Sequence, residues 1–171
     1  PAPTYAATEM KTAILTVSTS VAAGETEDLS GAALAEHAQA VGAEIVACDV
    51  LPDDRAAIED WLRRRAAEGA SLIFTTGGTG LTDDDVTPEA TEAVIERAAP
   101  GFAEALRAEA VRHTPMGILT RGVSGIVGRS LIINFPGNPK AIGELFPVIA
   151  PTLQHVVATL QRERGQRTPG H

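Results

Sequence analysis

The chain is poor in cysteine, lysine and aromatic residues, and each shortage excludes a class of protein. Of 171 residues only Cys48 is a cysteine, so no intramolecular disulfide can form. Cys48 lies among apolar neighbours in Ile45-Val46-Ala47-Cys48 and is expected to be a small buried hydrophobe rather than a nucleophile. Basic residues number 14 against 22 acidic ones, a net charge of −8, and only Lys11 and Lys140 are lysines. Without a basic surplus the chain is not expected to bind nucleic acid or to dock on an anionic membrane. No apolar run reaches the roughly 18 residues of a membrane span. Pro1-Ala2-Pro3-Thr4 lacks the basic-then-apolar pattern of a signal segment, and the expected compartment is the cytoplasm.

What is present is ordinary globular material. Hydrophobic residues make up 44% and charged residues 21%, which excludes general disorder. A chain of this length can bury roughly 70% of its unfolded surface, enough for one domain without a disulfide or metal staple. No internal repeat or long linker divides it. The expected organisation is a flexible segment over 1–10, a single domain over 11–160 and a flexible tail over 161–171.

Strands and helices alternate along the chain. Short apolar, β-branched runs predict buried strands at 12–17, 44–51, 71–76 and 130–135. Between them, the stretch from Ser18 to Glu27 is expected as loop, and Asp28 or Ser30 can cap a helix to about Val41. Asp53 or Asp54 suits the cap of a helix carrying Ile58, Trp61 and Leu62. Thr87 as cap, with Pro88 at the first helical position, predicts a helix to about Glu96. A further helix is expected from Phe102 to Arg112. The Gly-interrupted stretch from Thr114 to Arg129 gives no clear pattern. A last helix from Lys140 is interrupted or restarted at Pro147 and Pro151. Such alternation implies an α/β fold of three layers, a mainly parallel sheet with helices on both faces. Ligands of such sheets bind beyond the carboxyl ends of the strands. Ser18–Gly24, Pro52-Asp53, Gly77–Asp85 and Pro136–Lys140 all fall there.

The chemistry-bearing residues are glycines and carboxylates. Thr75-Thr76-Gly77-Gly78-Thr79-Gly80 follows a buried strand, where glycines admit positive φ and bring backbone N–H groups near an anion. The two familiar nucleotide fingerprints are absent: there is no G-x-x-x-x-G-K-[ST], and Gly78-x-Gly80 lacks a third glycine. Phosphate binding and a plain tight turn are both compatible with the loop. Asp83-Asp84-Asp85 is either a solvated acidic loop, with Asp85 helping to cap the helix at Thr87, or a source of Mg²⁺ ligands beside a phosphate. Asp53 poses the same choice. Lys140 opposes the dipole of the helix it begins, so an anion-binding role stands level with that of an ordinary surface lysine; Arg121 and Arg129 are further candidate cations. The four histidines have no metal-ligand spacing and are expected to be structural or surface residues.

Taken together these stretches resemble the MoaB/Mog family of molybdenum-cofactor biosynthesis proteins. Thr75 to Leu81 followed by Asp85-Val86-Thr87-Pro88-Glu89-Ala90-Thr91 is similar to the family signature. So are the segment Gly24 to Gly31, Leu51-Pro52-Asp53, and Ile133 to Ala141 with its Pro136-Gly137-Asn138-Pro139-Lys140. The likeness runs over roughly Lys11 to Leu160. It implies an α/β fold assembled as a homotrimer, and molybdopterin as substrate. It implies adenylylation of the pterin's terminal phosphate with Mg-ATP and release of pyrophosphate. By position it assigns Asp53 and Asp85 to Mg²⁺ and catalysis. It assigns Ser18, Ser20, Thr75, Thr76, Gly77, Gly78, Thr79 and Gly80 to substrate contacts, with Pro136, Gly137, Asn138 and Lys140. A molybdenum-insertion protein is the implied partner. Two positions depart from the pattern: many members carry a basic residue where this chain has Asp84, and often an aspartate within Ser18-Thr19-Ser20. The alternative within the family is a non-catalytic trimeric molybdopterin carrier; outside it, a generic nucleotide-binding domain.

Overall fold

The computed structural model describes residues 8–162 and 165–166, so most of the two ends expected to be flexible lies outside the described residues. In chain order the elements are β1 (Met10–Val17), α1 (Thr19–Ala22), α2 (Leu29–Ala40), β2 (Ala43–Leu51), α3 (Arg55–Ala67) and β3 (Leu72–Thr76). They continue with α4 (Thr87–Val94), β4 (Arg97–Ala98), α5 (Pro100–His113), a 3-10 turn (Pro115–Leu119), β5 (Ser124–Val127) and β6 (Ser130–Phe135). Helices α6 (Pro139–Ile149) and α7 (Leu153–Gln161) complete the order, joined by a 3-10 turn at Ala150–Thr152.

The six strands form one sheet in the order β2-β1-β3-β6-β5-β4. β2, β1, β3 and β6 run parallel; β5 and β4 are antiparallel additions at one edge. Leu34, Leu145, Phe146, Leu153 and Val157 pack on one face with Ile14, Phe74 and Ile133. Ile58, Trp61, Leu62 and Val94 pack on the other with Leu15, Ile73 and Ile132. The three-layer α/β expectation therefore holds. β3 and β6 are buried at every position, which is why they read as short, mostly apolar runs without polar alternation.

Several local expectations are corrected. The stretch after β1 is not all loop: Ser18 accepts the Val21 N–H at 3.3 Å and starts the one-turn α1. Asp54, not Asp53, caps α3 by accepting the Ala57 N–H, which leaves Asp53 outside the helix. α4 begins one residue early. Thr87 is already helical because its N–H is taken by the Gly78 carbonyl at 3.1 Å, and its fully buried side chain faces Gly78 instead of capping. Pro147 sits inside α6 without ending it, and the break falls at 150–152. Cys48 is exposed rather than buried. The β1–β2 register slips at Thr12/Ala13, leaving Val46 as an extra residue; this bulge changes which face of edge strand β2 each later residue takes.

The helical run Pro139–Gln161 is long enough, at a mean hydropathy of 1.3, to satisfy the length and composition of a membrane span. Its 3-10 break and the burial of Ile142, Leu145, Phe146, Ile149, Leu153 and Val157 against the sheet account for that apolarity as core.

Candidate functional site

β1 continues to β2 on one side of the sheet while β3 pairs on its other side, so the β1/β3 boundary is a topological switch point. At the carboxyl ends of those strands lies a cleft of about 620 Å³. The turn after β3 is tied to the turn after β6. Gly77 N–H donates to the Phe135 carbonyl at 3.1 Å, and the Thr76 hydroxyl donates to the Pro136 carbonyl at 2.8 Å. A Cβ on Gly137 would lie 3.1 Å from Gly77 Cα, so the two loops meet backbone to backbone.

Gly77 and Gly78 both have positive φ, +93° and +67°. A Cβ at Gly77 would collide with the Val17 carbonyl oxygen, and one at Gly78 with the Thr87 hydroxyl. Only glycine fits this path between β1 and α4. Gly80 brings the chain against Asp85, whose Oδ2 would lie 2.7 Å from a Cβ there. Asp85 does not cap α4. Its Oδ2 accepts the Thr82 N–H at 3.0 Å and the Thr82 hydroxyl at 2.8 Å, while its own N–H donates to the Thr82 carbonyl at 3.0 Å.

The cleft wall brings together nine of the residues named from sequence: Ser18, Thr76, Gly77, Gly78, Thr79, Gly80, Asp85, Pro136 and Gly137. The others sit nearby or serve the fold. Ser20 joins its hydroxyl to Ser18 at 3.2 Å and to Thr26 at 3.0 Å. Asp53 lies past the end of β2 and accepts the Thr19 hydroxyl at 2.8 Å. Thr75 is buried, its hydroxyl accepting from Asn134 Nδ2 at 2.9 Å. Asn138 caps α6 by accepting the Lys140 N–H at 2.9 Å. Lys140 does not line the wall; its side chain is 86% exposed and 4.0 Å from Glu144.

Sequence reasoning did not single out the second wall as contacts. Thr16, Thr26, Glu27, Leu29 and Ser30 face the glycine loop, and Met116, Leu119 and Thr120 close the end. Asp28 supports that wall: it caps α2 through the Gly31 N–H and accepts the Thr16 hydroxyl with both oxygens, at 2.9 and 3.0 Å. An acidic residue directly before an apolar helical stripe was the signal available for it. Arg121 is not a free cation. Its guanidinium donates to the Gly80 and Asp85 carbonyls, each at 2.7 Å, and pairs with Glu89. That bond holds the Glu89 carboxyl below the usual carboxylate range and raises Arg121.

The cleft wall carries no lysine, arginine or histidine among the described residues, and two carboxylates, Glu27 and Asp85. Its donors are neutral: hydroxyls, the backbone N–H groups of the glycine loop beyond Gly77, and the N-terminal end of α2 at Ser30; at Pro139, which has no N–H, α6 offers only the positive end of its dipole. Among the described residues no group of three His, Cys, Asp or Glu side chains could hold a metal ion. A Mg²⁺ fits this donor set only when phosphate oxygens supply most of its shell, as that ion accepts with one or two carboxylates.

Residues 13–155 match a family model described as "Probable molybdopterin binding domain". A molybdopterin adenylyltransferase of Helicobacter pylori is 38% identical over 151 residues, covering 84% of this chain and 84% of that protein. The crystal structure of the molybdopterin biosynthesis enzyme MoaB from Thermus thermophilus superposes with a TM-score of 0.84 at 39% identity, over 92% of this chain and 99% of the other. The tungsten cofactor synthesizing protein MoaB from Pyrococcus furiosus gives 0.83 at 28% identity, over 92% and 100%.

Proposed function

The chain belongs to the MoaB/Mog family of molybdopterin-binding proteins, and from that premise we propose that it is a molybdopterin adenylyltransferase. In this reaction an oxygen of the pterin's terminal phosphate attacks the α-phosphorus of ATP. A new P–O–P link forms, the bond from the α-phosphorus to the β-bridging oxygen breaks, and pyrophosphate leaves with that electron pair.

The observation that carries the proposal is the cleft itself, a glycine loop facing two helix N-termini with Asp85 at its edge and no cationic side chain on its wall. Two phosphates must approach each other, so positioning and charge screening dominate the barrier. Ser18, Thr79 and the backbone N–H groups of Gly78 and Gly80 would hold phosphate without adding charge, while Thr76 and Gly77, whose donors are engaged by Pro136 and Phe135, would hold the loop in place. MgATP enters as co-substrate, and Asp85 with Asp53 would hold its metal, which screens one phosphate from the other. Ser20, Thr75, Pro136, Gly137, Asn138 and Lys140 complete the proposed substrate-binding set. Asn138 and Thr75 act by fixing the loops; Lys140 is free to turn toward a bound anion.

The test is magnesium-dependent formation of adenylyl-molybdopterin from ATP. Asp85→Ala and Asp53→Ala are expected to lose most of that activity while still binding the pterin. Two variants as active as the parent protein would overturn the site assignment. A second reading, a molybdopterin carrier without catalysis, is favoured by Asp84 standing where many relatives place a basic residue. Calorimetry showing tight pterin binding with no ATP binding selects it. The proposal includes a homotrimer working in the cytoplasm and handing its product to a molybdenum-insertion protein. A solution mass of three chains is the expected result for the trimer.

A further inference from the structure

Arg121 touches both ends of the loop that carries Asp85. Its backbone N–H donates to the Thr79 carbonyl at 2.8 Å, its Nε to the Gly80 carbonyl at 2.7 Å, and its Nη2 to the Asp85 carbonyl at 2.7 Å. The remaining Nη1 pairs with Glu89 in the first turn of α4. One planar fork therefore fixes the start of the loop, its end, and the helix that follows. A lysine in its place has one compact charge on a flexible stem and cannot satisfy these acceptors together. Asp85 is consequently held at its carbonyl by Arg121 and at its carboxylate by Thr82. Arg121 itself does not line the cleft.

We infer that the Arg121–Glu89 pair is a positioning clamp that sets the Asp85 carboxylate at the edge of the cleft. This rests on the assignment of Asp85 to the reaction, and it acts on the reaction only through that residue. The segment carrying Arg121 also carries Met116, Leu119 and Thr120 of the opposite cleft end, so the clamp fixes one wall against the other. The Thr120 hydroxyl donates to Thr79 Oγ1 at 3.3 Å, beside the backbone bond from Arg121.

Two measurements on the full chain test it. In hydrogen exchange, the Thr82 and Asp85 amides of Arg121→Lys are expected to exchange about tenfold faster, while core strand amides such as those of Ile14 and Phe74 are unchanged. Glu89→Gln should show a smaller effect in the same amides, and it answers the question if Arg121→Lys does not fold. In the adenylylation assay Arg121→Lys should lower kcat about tenfold or more with little change in KM for molybdopterin, since a misplacement of about 1 Å can cost that much. Asp85→Asn and the double variant Asp85→Asn/Arg121→Lys should then be equally slow, because the arginine has nothing left to position. Unchanged exchange in the loop, or losses that multiply in the double variant, overturn the clamp. Full activity of Asp85→Asn alone would instead overturn the site assignment, and the exchange result would still decide whether the loop is clamped.

Discussion

Asn134 grips Val123 twice. Its backbone N–H donates to the Val123 carbonyl at 3.0 Å, and its side-chain Oδ1 accepts the Val123 N–H at 3.1 Å. The same side chain donates to Thr75 at 2.9 Å and Thr91 at 3.0 Å, so β6 is joined to β3, to α4 and to the segment that delivers Arg121. Asn134→Leu keeps similar bulk but orphans one half-buried N–H and two buried hydroxyl acceptors. The expected loss is about 2–3 kcal/mol, read from chemical denaturation. A variant of unchanged stability would show that the network contributes little.

Gly78→Ala should fail in two ways at once. A left-handed backbone costs an L-residue about 1–2 kcal/mol, and the new methyl meets the Thr87 hydroxyl. Thermal unfolding should register that strain, and calorimetry should show molybdopterin binding lost. Thr87→Val, by contrast, replaces a buried hydroxyl that has no partner among the described residues and should change stability by less than about 1 kcal/mol.

Asp28→Ala removes a helix cap and the acceptor of buried Thr16 together. The cap is worth about 1 kcal/mol and the orphaned hydroxyl adds about 1–2 kcal/mol. Because Leu29 and Ser30 line the cleft, weaker pterin binding should accompany the lower stability. Loss of stability with unaltered binding would separate the second wall from the ligand.

Glu89 predicts an acid dependence whose sign is fixed by its lowered pKa. The folded protein favours the charged carboxylate because Arg121 is bonded to it. That stabilisation is present above the unfolded value of about 4.3 and disappears as pH falls through the lower folded value. The side chain is 39% exposed, so solvent screening keeps the effect small. Loop protection factors, in which the intrinsic pH dependence of amide exchange is divided out, should fall in the parent protein between about pH 6 and about pH 3 and stay flat in Glu89→Gln.

A cleft wall without cationic side chains should bind phosphate with little salt dependence. Between roughly 50 and 200 mM salt the molybdopterin Kd should not weaken by more than about twofold, because no cationic side chain of the wall is there to be screened. Chelating Mg²⁺ should abolish turnover while leaving pterin binding intact. A steep salt slope would point to Lys140 or another surface cation as the true phosphate contact.

Most of the fold was legible because its strands obey simple rules. β6 was bounded correctly at Ser130 and Phe135, since both of its faces are buried and the apolar run ends in Pro-Gly. Cys48 was misplaced because β2 is an edge strand on which Glu44, Val46 and Cys48 are all exposed, and a strand's place at the sheet edge is not encoded in its local sequence. Thr87 looked like a cap and is not one, because a carbonyl nine residues upstream claims its N–H. The glycine loop and Asp85 were visible as motifs. The second wall was not, since Thr16, Ser30 and Thr120 are ordinary residues joined only by the fold. Arg121 was noticed as a charge, but its use as an internal brace depends on contacts 32 to 41 positions away.

The strand order carries a consequence for how this protein can change. With β2-β1-β3-β6 setting two strand ends and two helix starts around one crevice, the proposed hold on phosphate rests largely on the main chain. Main-chain groups cannot be substituted, so side-chain replacements around the crevice would reach its hydroxyls and the arginine that braces the loop, but not the amides of the glycine loop. Such a site can drift far in side-chain sequence and overall charge while its taste in ligands stays the same.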